Sequence, residues 1–121
     1  MIRIDILPED LEKAGSARRL AKYKDAYEYC TTCLIAQTLN RYLNPGFKAH
    51  VRVGVIRIQE QERPKTLATA YTNDDIQSII IAFDNDDTEN MLLPRTITLK
   101  DFRVLSGAHT LDDLFKKEAF V

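Results

Sequence analysis

The run HVRVGVIRIQ, residues 50–59, alternates apolar and polar side chains, and that alternation commits a stretch of chain to a β-sheet. Val51, Val53 and Val55 share one face, and Ile56 and Ile58 then carry the apolar phase on the other. The slip falls beside Gly54, which predicts a bulge in one continuous strand or a strand buried on both faces. A strand of this kind needs partners. IRIDIL (2–7), TLATAY (66–71) and TITLKDFRV (96–104) supply them, with Ile2, Ile4 and Ile6 alternating in the first and Ile97 and Leu99 in the last.

Between these runs the apolar period lengthens to that of a helix. Pro8 opens one, with Glu9 and Asp10 in a first turn where the helix dipole favours acids. Leu11 and Ala14 would face inward, and Gly15-Ser16 is expected to weaken or end the helix. Cys33, Leu34, Ala36, Gln37, Leu39, Tyr42 and Leu43 define a second helix, stopped by Asn44-Pro45-Gly46. Asn73-Asp74-Asp75 caps a third, whose Ile76, Ile79, Ile80 and Phe83 fall on one face. Thr110 and Asp113 form a capping box for a last short helix carrying Leu111, Leu114 and Phe115. The expected class is therefore α+β: a small mixed sheet of about four strands under a single layer of about four helices on one face. The 121 residues suit a single domain, with 103–121 as a C-terminal helical extension.

Charge and composition narrow the function. A net charge of -1 gives no global attraction for nucleic acid, so such a partner is not expected. No apolar run reaches the roughly 18 to 20 residues needed to cross a bilayer, so no membrane partner is expected either. MIRIDILPED is an alternating strand followed by acids rather than a signal sequence, which points to the cytoplasm, where two cysteines stay reduced. With four glycines there is no phosphate-cradling loop, and no G-x-S-x-G or comparable context surrounds a serine. The expectation is a protein that is not an enzyme and holds no cofactor and no metal.

Two motifs imitate chemistry. Cys30-Thr-Thr-Cys33 has the spacing of a redox dithiol, but KYKDAYEY before it is not the buried strand that a thioredoxin-like site requires. Zinc would need two further ligands, and His50 and His109 stand at no standard spacing. The simpler reading has Thr31 or Thr32 capping the helix, Cys33 packing as a small apolar residue and Cys30 at the edge. The acidic run Asp84, Asp86, Asp87 and Glu89 fails as a calcium loop, because Glu89 occupies the sixth position, where glycine is needed, and Arg95 the twelfth, where an acid is needed. A solvated acidic loop is the plainer alternative.

What survives is a segregation of basic and aromatic residues. Arg18, Arg19, Lys22 and Lys24 form one cluster, interleaved with Tyr23 and Tyr27, and Arg52 and Arg57 on the central strand point to a second. Guanidinium groups pair bidentately with phosphate and tyrosine rings stack on planar rings. Arg18, Arg19, Lys22, Tyr23, Tyr27, Arg52 and Arg57 are therefore the candidate ligand-binding residues, while a solvated helix face with inward tyrosines is the bland alternative.

The order of the pieces carries a resemblance. An I-x-I strand at Ile2, C-x-x-C-L-I-A-x-x-L-x-R from Cys30 to Arg41, V-x-V at Val51, I-x-x-F-D ending at Asp84 and L-P-R-T-I-T-L from Leu93 to Leu99 follow one another. Together they resemble a group of small bacteriophage proteins whose helix begins with cysteine-proline-isoleucine-alanine. Leu34 stands where that proline would be, and TNDD opens the third helix where the group has leucine-proline. The resemblance implies a phage origin, an α+β fold and residence in the host cytoplasm, and it carries over no catalytic residue. Phage genomes encode many small proteins that disarm host defences, which makes the first expectation an oligomeric binding protein that captures an anionic, nucleotide-type defence signal without cleaving it. The alternative is an inhibitor or adaptor that binds a host defence protein through the acidic loop 84–89 or the basic helix. A thiol-dependent redox or metal protein built on Cys30 and Cys33 is the second alternative.

Overall fold

The computed structural model describes residues 1–20, 30–63, 65–85, 87–89, 91–105, 107 and 109–120, with side chains omitted for 17–20. Its elements are β1 (Ile2–Ile6), α1 (Pro8–Leu20), α2 (Leu34–Tyr42), β2 (Phe47–Val51), β3 (Val55–Glu60), β4 (Thr66–Tyr71), α3 (Asp74–Asp84), β5 (Arg95–Leu99), β6 (Arg103–Val104) and α4 (Leu111–Leu114), followed by a 3-10 turn at Lys117–Ala119. The class is α+β, and among the described residues the strands number six in two sheets. β1 pairs with β5, and the larger sheet runs β2-β3-β4-β6, with every pairing antiparallel.

The alternation of β1 produces its burial directly: Ile2, Ile4 and Ile6 are buried while Arg3 and Asp5 are exposed. Ile4 lies opposite Ile97 and Ile2 opposite Leu99, so the small sheet presents one apolar face. The four-stranded sheet does the same with Ala49, Val51, Ile56, Ile58, Ala68 and Ala70, all buried. α2 packs against β1, β2 and α1, and its Leu34, Ile35, Ala36 and Leu39 join both sheets into one core.

α1 does not end at Gly15-Ser16 but continues to Leu20. A glycine inside a helix costs about 1 kcal/mol, and the tertiary anchoring of this helix exceeds that. Asp10, fully buried, accepts the Leu7 amide at 2.9 Å and the Thr38 hydroxyl at 3.1 Å. Arg41 completes the cluster, giving Nε to Oδ1 at 2.7 Å and Nη2 to Oδ2 at 2.8 Å, and it also donates to the Asp5 carbonyl at 2.5 Å. That hydrogen bond to Asp10 is the main cause that raises the Arg41 pKa above its ordinary value. One buried carboxylate thus ties α1, α2 and the end of β1 together.

The expected single strand over 50–59 is a hairpin. Arg52 donates to the Val55 carbonyl at 2.9 Å and Val55 returns the bond at 3.3 Å, so Val53-Gly54 forms a two-residue turn. Cross-strand partners are Val51 with Ile56 and Ala49 with Ile58. Odd positions before the turn therefore share a face with even positions after it, and this is the phase slip that had suggested a bulge. Thr72 secures the turn from beyond β4, its amide donating to the Gly54 carbonyl at 3.3 Å and its hydroxyl to that of Val53. TITLKDFRV likewise divides, because Asp101 adopts φ 60° between β5 and β6.

α3 starts as expected, with the Asn73 side chain accepting the Ile76 amide at 2.9 Å, and buries Ile76, Ile79, Ile80 and Phe83. α2, by contrast, takes its N-cap from Cys33, and Thr31 and Thr32 lie in the helical turn before it. Leu114, Phe115 and Ala119 belong to the same core, with Val104, Leu111 and Phe120 packed against it. β6 pairs with β4, Leu114 and Phe115 are buried, and Phe115 meets Phe102 and Phe120 with ring centroids 5.3 and 6.5 Å apart.

Candidate functional site: a basic sheet face

Side chains alternate across a strand, so the register that turns Ala49, Ile58, Ala68 and Val104 toward the core turns their neighbours the other way. His50 on β2, Arg57 on β3, Thr69 on β4 and Arg103 on β6 stand in one row across the four-stranded sheet. Directly paired positions lie about 4.5 to 5.5 Å apart at Cβ, which sets Arg57 and Arg103 on either side of Thr69. Tyr71, paired with Val55, occupies the same face two residues beyond Thr69 and is 87% exposed. The face is closed at its β2 end, where His50 is buried, and open toward β4 and β6, where Arg57 is half-buried and Arg103 exposed.

The hairpin adds Arg52 to this neighbourhood. The imidazole of His50 is pushed below its ordinary pKa, first by burial and then by Arg52, Arg57 and Lys48. Burial first and the three nearby cations second favour the neutral imidazole, and the cations mark a locally positive field. The ion pairs among the described residues join Arg41 to Asp10, Arg63 to Glu60 and Arg95 to Asp75. Among those residues no carboxylate pairs with Arg52, Arg57 or Arg103.

Of the seven candidates from the sequence, Arg52 and Arg57 come together here. Arg18 and Arg19 lie in the last turns of α1, with side chains outside the described set, and Lys22, Tyr23 and Tyr27 lie outside the described residues. His50, Thr69, Tyr71 and Arg103 were not anticipated. Tyr71 was available from the parity of TLATAY, since Thr69 and Tyr71 share the face opposite Ala68 and Ala70. Arg103 was not, because only the β4-β6 pairing brings it beside Thr69.

Next to this face, Cys30 and Cys33 border a cavity of about 250 Å³ with Arg52, Val53, Ile80 and Asp84. Arg52 hydrogen-bonds the half-buried Cys30 sulfur, but burial is the larger influence and raises that thiol's pKa. Cys33 is pushed up to about 12, chiefly by burial, which the amides of Ala36 and Ile35 only partly offset. Both sulfurs are therefore thiols at neutral pH, a poor state for nucleophilic or dithiol chemistry. No group of three His, Cys, Asp or Glu side chains that could hold a metal occurs among the described residues. Asp84, Asp87 and Glu89 are exposed, and Asp86 is outside the described residues.

Past Tyr71 the surface sinks into a groove of about 740 Å³, lined by Thr72, Asn73, Thr96, Thr98 and Lys100 among others. No helix among the described residues is long and apolar enough to cross a membrane. Comparison with protein-family models, with curated proteins and with solved structures finds no match.

Proposed function

We propose that this protein is a non-enzymatic binding protein that takes an anionic, nucleotide-type ligand on the outer face of its four-stranded sheet. The observation that carries this reading is the register row in which Arg57 and Arg103 flank Thr69, with no described carboxylate to neutralise them and Tyr71 exposed on the same face. An arriving phosphate would relieve the repulsion among these cations, accept bidentate hydrogen bonds from the guanidinium groups and take the Thr69 hydroxyl as a further donor. The Tyr71 ring then offers a stacking platform for a base or its sugar. The resemblance to phage proteins supplies the biological setting: a homo-oligomer in the host cytoplasm that sequesters a defence signal.

Isothermal titration with nucleoside triphosphates and with inorganic triphosphate tests the reading. Arg57→Ala and Arg103→Ala should each weaken binding about tenfold or more, at 1.5 to 3 kcal/mol per charged hydrogen bond lost. The bound nucleotide should be recovered intact. Full binding by both variants would overturn the assignment.

A further inference from the structure

The groove beyond Tyr71 differs from the arginine row in its charge. Asp75, on its wall, is neutralised by Arg95. Lys100 and Asp101 are both exposed lining residues of opposite sign, and neither enters an ion pair among the described residues. The side-chain charges of the groove are thus balanced, Asp75 by Arg95 and Lys100 by Asp101, while the row beside it is cationic. Much of its remaining polarity is already engaged. The Thr72 hydroxyl donates to Val53 and accepts from Gln77, that of Thr96 donates to Asp5, and the Asn73 oxygen caps α3. The Thr98 hydroxyl, the Lys100 ammonium and the Asp101 carboxylate are left to face a ligand. Tyr71 joins the two regions, because it stands on the sheet face opposite Val55 and also lines the groove.

We infer that the ligand has one anionic pole and one neutral pole, lying across Tyr71 with its phosphates on the arginine row and its nucleoside in the groove, where Lys100, Asp101 and Thr98 determine specificity. The proposal rests on the nucleotide reading above and adds the orientation and the residues that select. Lys100 donates to a base carbonyl or ring nitrogen, Asp101 accepts from amino or hydroxyl groups, and the Thr98 hydroxyl does either. A site that hydrogen-bonds a substrate group discriminates strongly against an analogue lacking it, because the site's own polar atoms are then left unpaired. A volume of about 740 Å³ lies within the range of small-ligand sites.

The test compares inorganic triphosphate, which can engage only the arginine row, with the four ribonucleoside triphosphates. Wild-type protein, Lys100→Ala, Asp101→Asn and Thr98→Val are titrated with each. All three positions are solvent-accessible, and asparagine tolerates the backbone at 101, so the fold should persist, as an unchanged thermal melt would verify. The expected result is that at least one nucleotide binds about tenfold or more tightly than triphosphate. The groove variants should then lose that preference while binding triphosphate as wild type does. If triphosphate binds as tightly as every nucleotide, or the groove variants leave the ranking unchanged, the inference is overturned and the arginine row stands. If neither triphosphate nor any nucleotide binds, both fall.

Discussion

Arg41→Ala should be among the most damaging substitutions in this protein, although its side chain remains 27% exposed. The reason is its partner. The Asp10 side chain is 0% exposed, and without Arg41 it retains, among the described residues, the Leu7 amide and the Thr38 hydroxyl as donors. Two charge-assisted bonds vanish and a carboxylate is left buried with its charge uncompensated. Breaking a buried pair from one side costs about 3 to 5 kcal/mol, a large part of the roughly 5 to 15 kcal/mol that holds a domain folded. With a urea slope of about 1.5 kcal/mol/M, the unfolding midpoint should fall by about 2 to 3 M. Arg41→Lys should lose less, because an ammonium retains the charge but not the two-pronged geometry. Asp10→Asn combined with Arg41→Ala should cost less than the sum of the two single changes. Equilibrium urea unfolding followed by circular dichroism measures all of these. A loss below about 1 kcal/mol for Arg41→Ala, the scale of an exposed pair, would refute the claim that this ion pair locks α1 onto α2.

The two turn glycines should respond in opposite directions. Gly46 sits at φ 97°, so Gly46→Ala should destabilise by about 1 to 2 kcal/mol, whereas a Cβ at Gly54 meets nothing within 4 Å and Gly54→Ala should be neutral or stabilise by up to about 1 kcal/mol in thermal melts. The lowered pKa of His50 makes it prefer the neutral form in the folded state. Its contribution to stability is therefore complete above about pH 6.5, the ordinary histidine value, and declines as pH falls from there toward the lower folded value. His50→Gln should flatten that part of the stability profile, and a phosphate-bearing ligand should raise the His50 pKa in an NMR titration. For the cysteines, iodoacetamide at pH 7.5 should label the native protein more slowly than an unstructured thiol, Cys30 before Cys33, as peptide mass spectrometry would report.

Local signals were legible wherever the physics is local. The alternation of Ile2, Ile4 and Ile6, the helical spacing of Ile76 through Phe83, the Asn73 cap and the Thr110–Asp113 box all appear in the structure where the sequence put them. Errors arose where two local readings were degenerate. A phase slip in HVRVGVIRIQ fits a bulge or a two-residue turn equally well, and the bonds from Thr72 that favour the turn come from 19 residues away in the chain. Gly15 was read by propensity, which the buried Asp10 cluster overrides. The site followed the same rule. Arg57 could be named because it interrupts an apolar strand, but its neighbours in the row come from three other strands. Tyr71 lies far in sequence from the lysine and arginine cluster that makes Tyr23 and Tyr27 conspicuous.

The pairing of β1 with β5 also sets a schedule for synthesis. Ile2 lies opposite Leu99, so β1 is made long before its partner β5. At about 5 to 20 residues per second, the roughly 90 residues between them take about 5 to 20 s to translate. Throughout that interval Ile2, Ile4 and Ile6 are outside the ribosome or in its tunnel with no strand to bond, while the β2–β3 hairpin can already close. The alternating charges of Arg3 and Asp5 then serve a purpose beyond facing solvent in the finished fold. They interrupt the apolar run and discourage two nascent chains from pairing through β1.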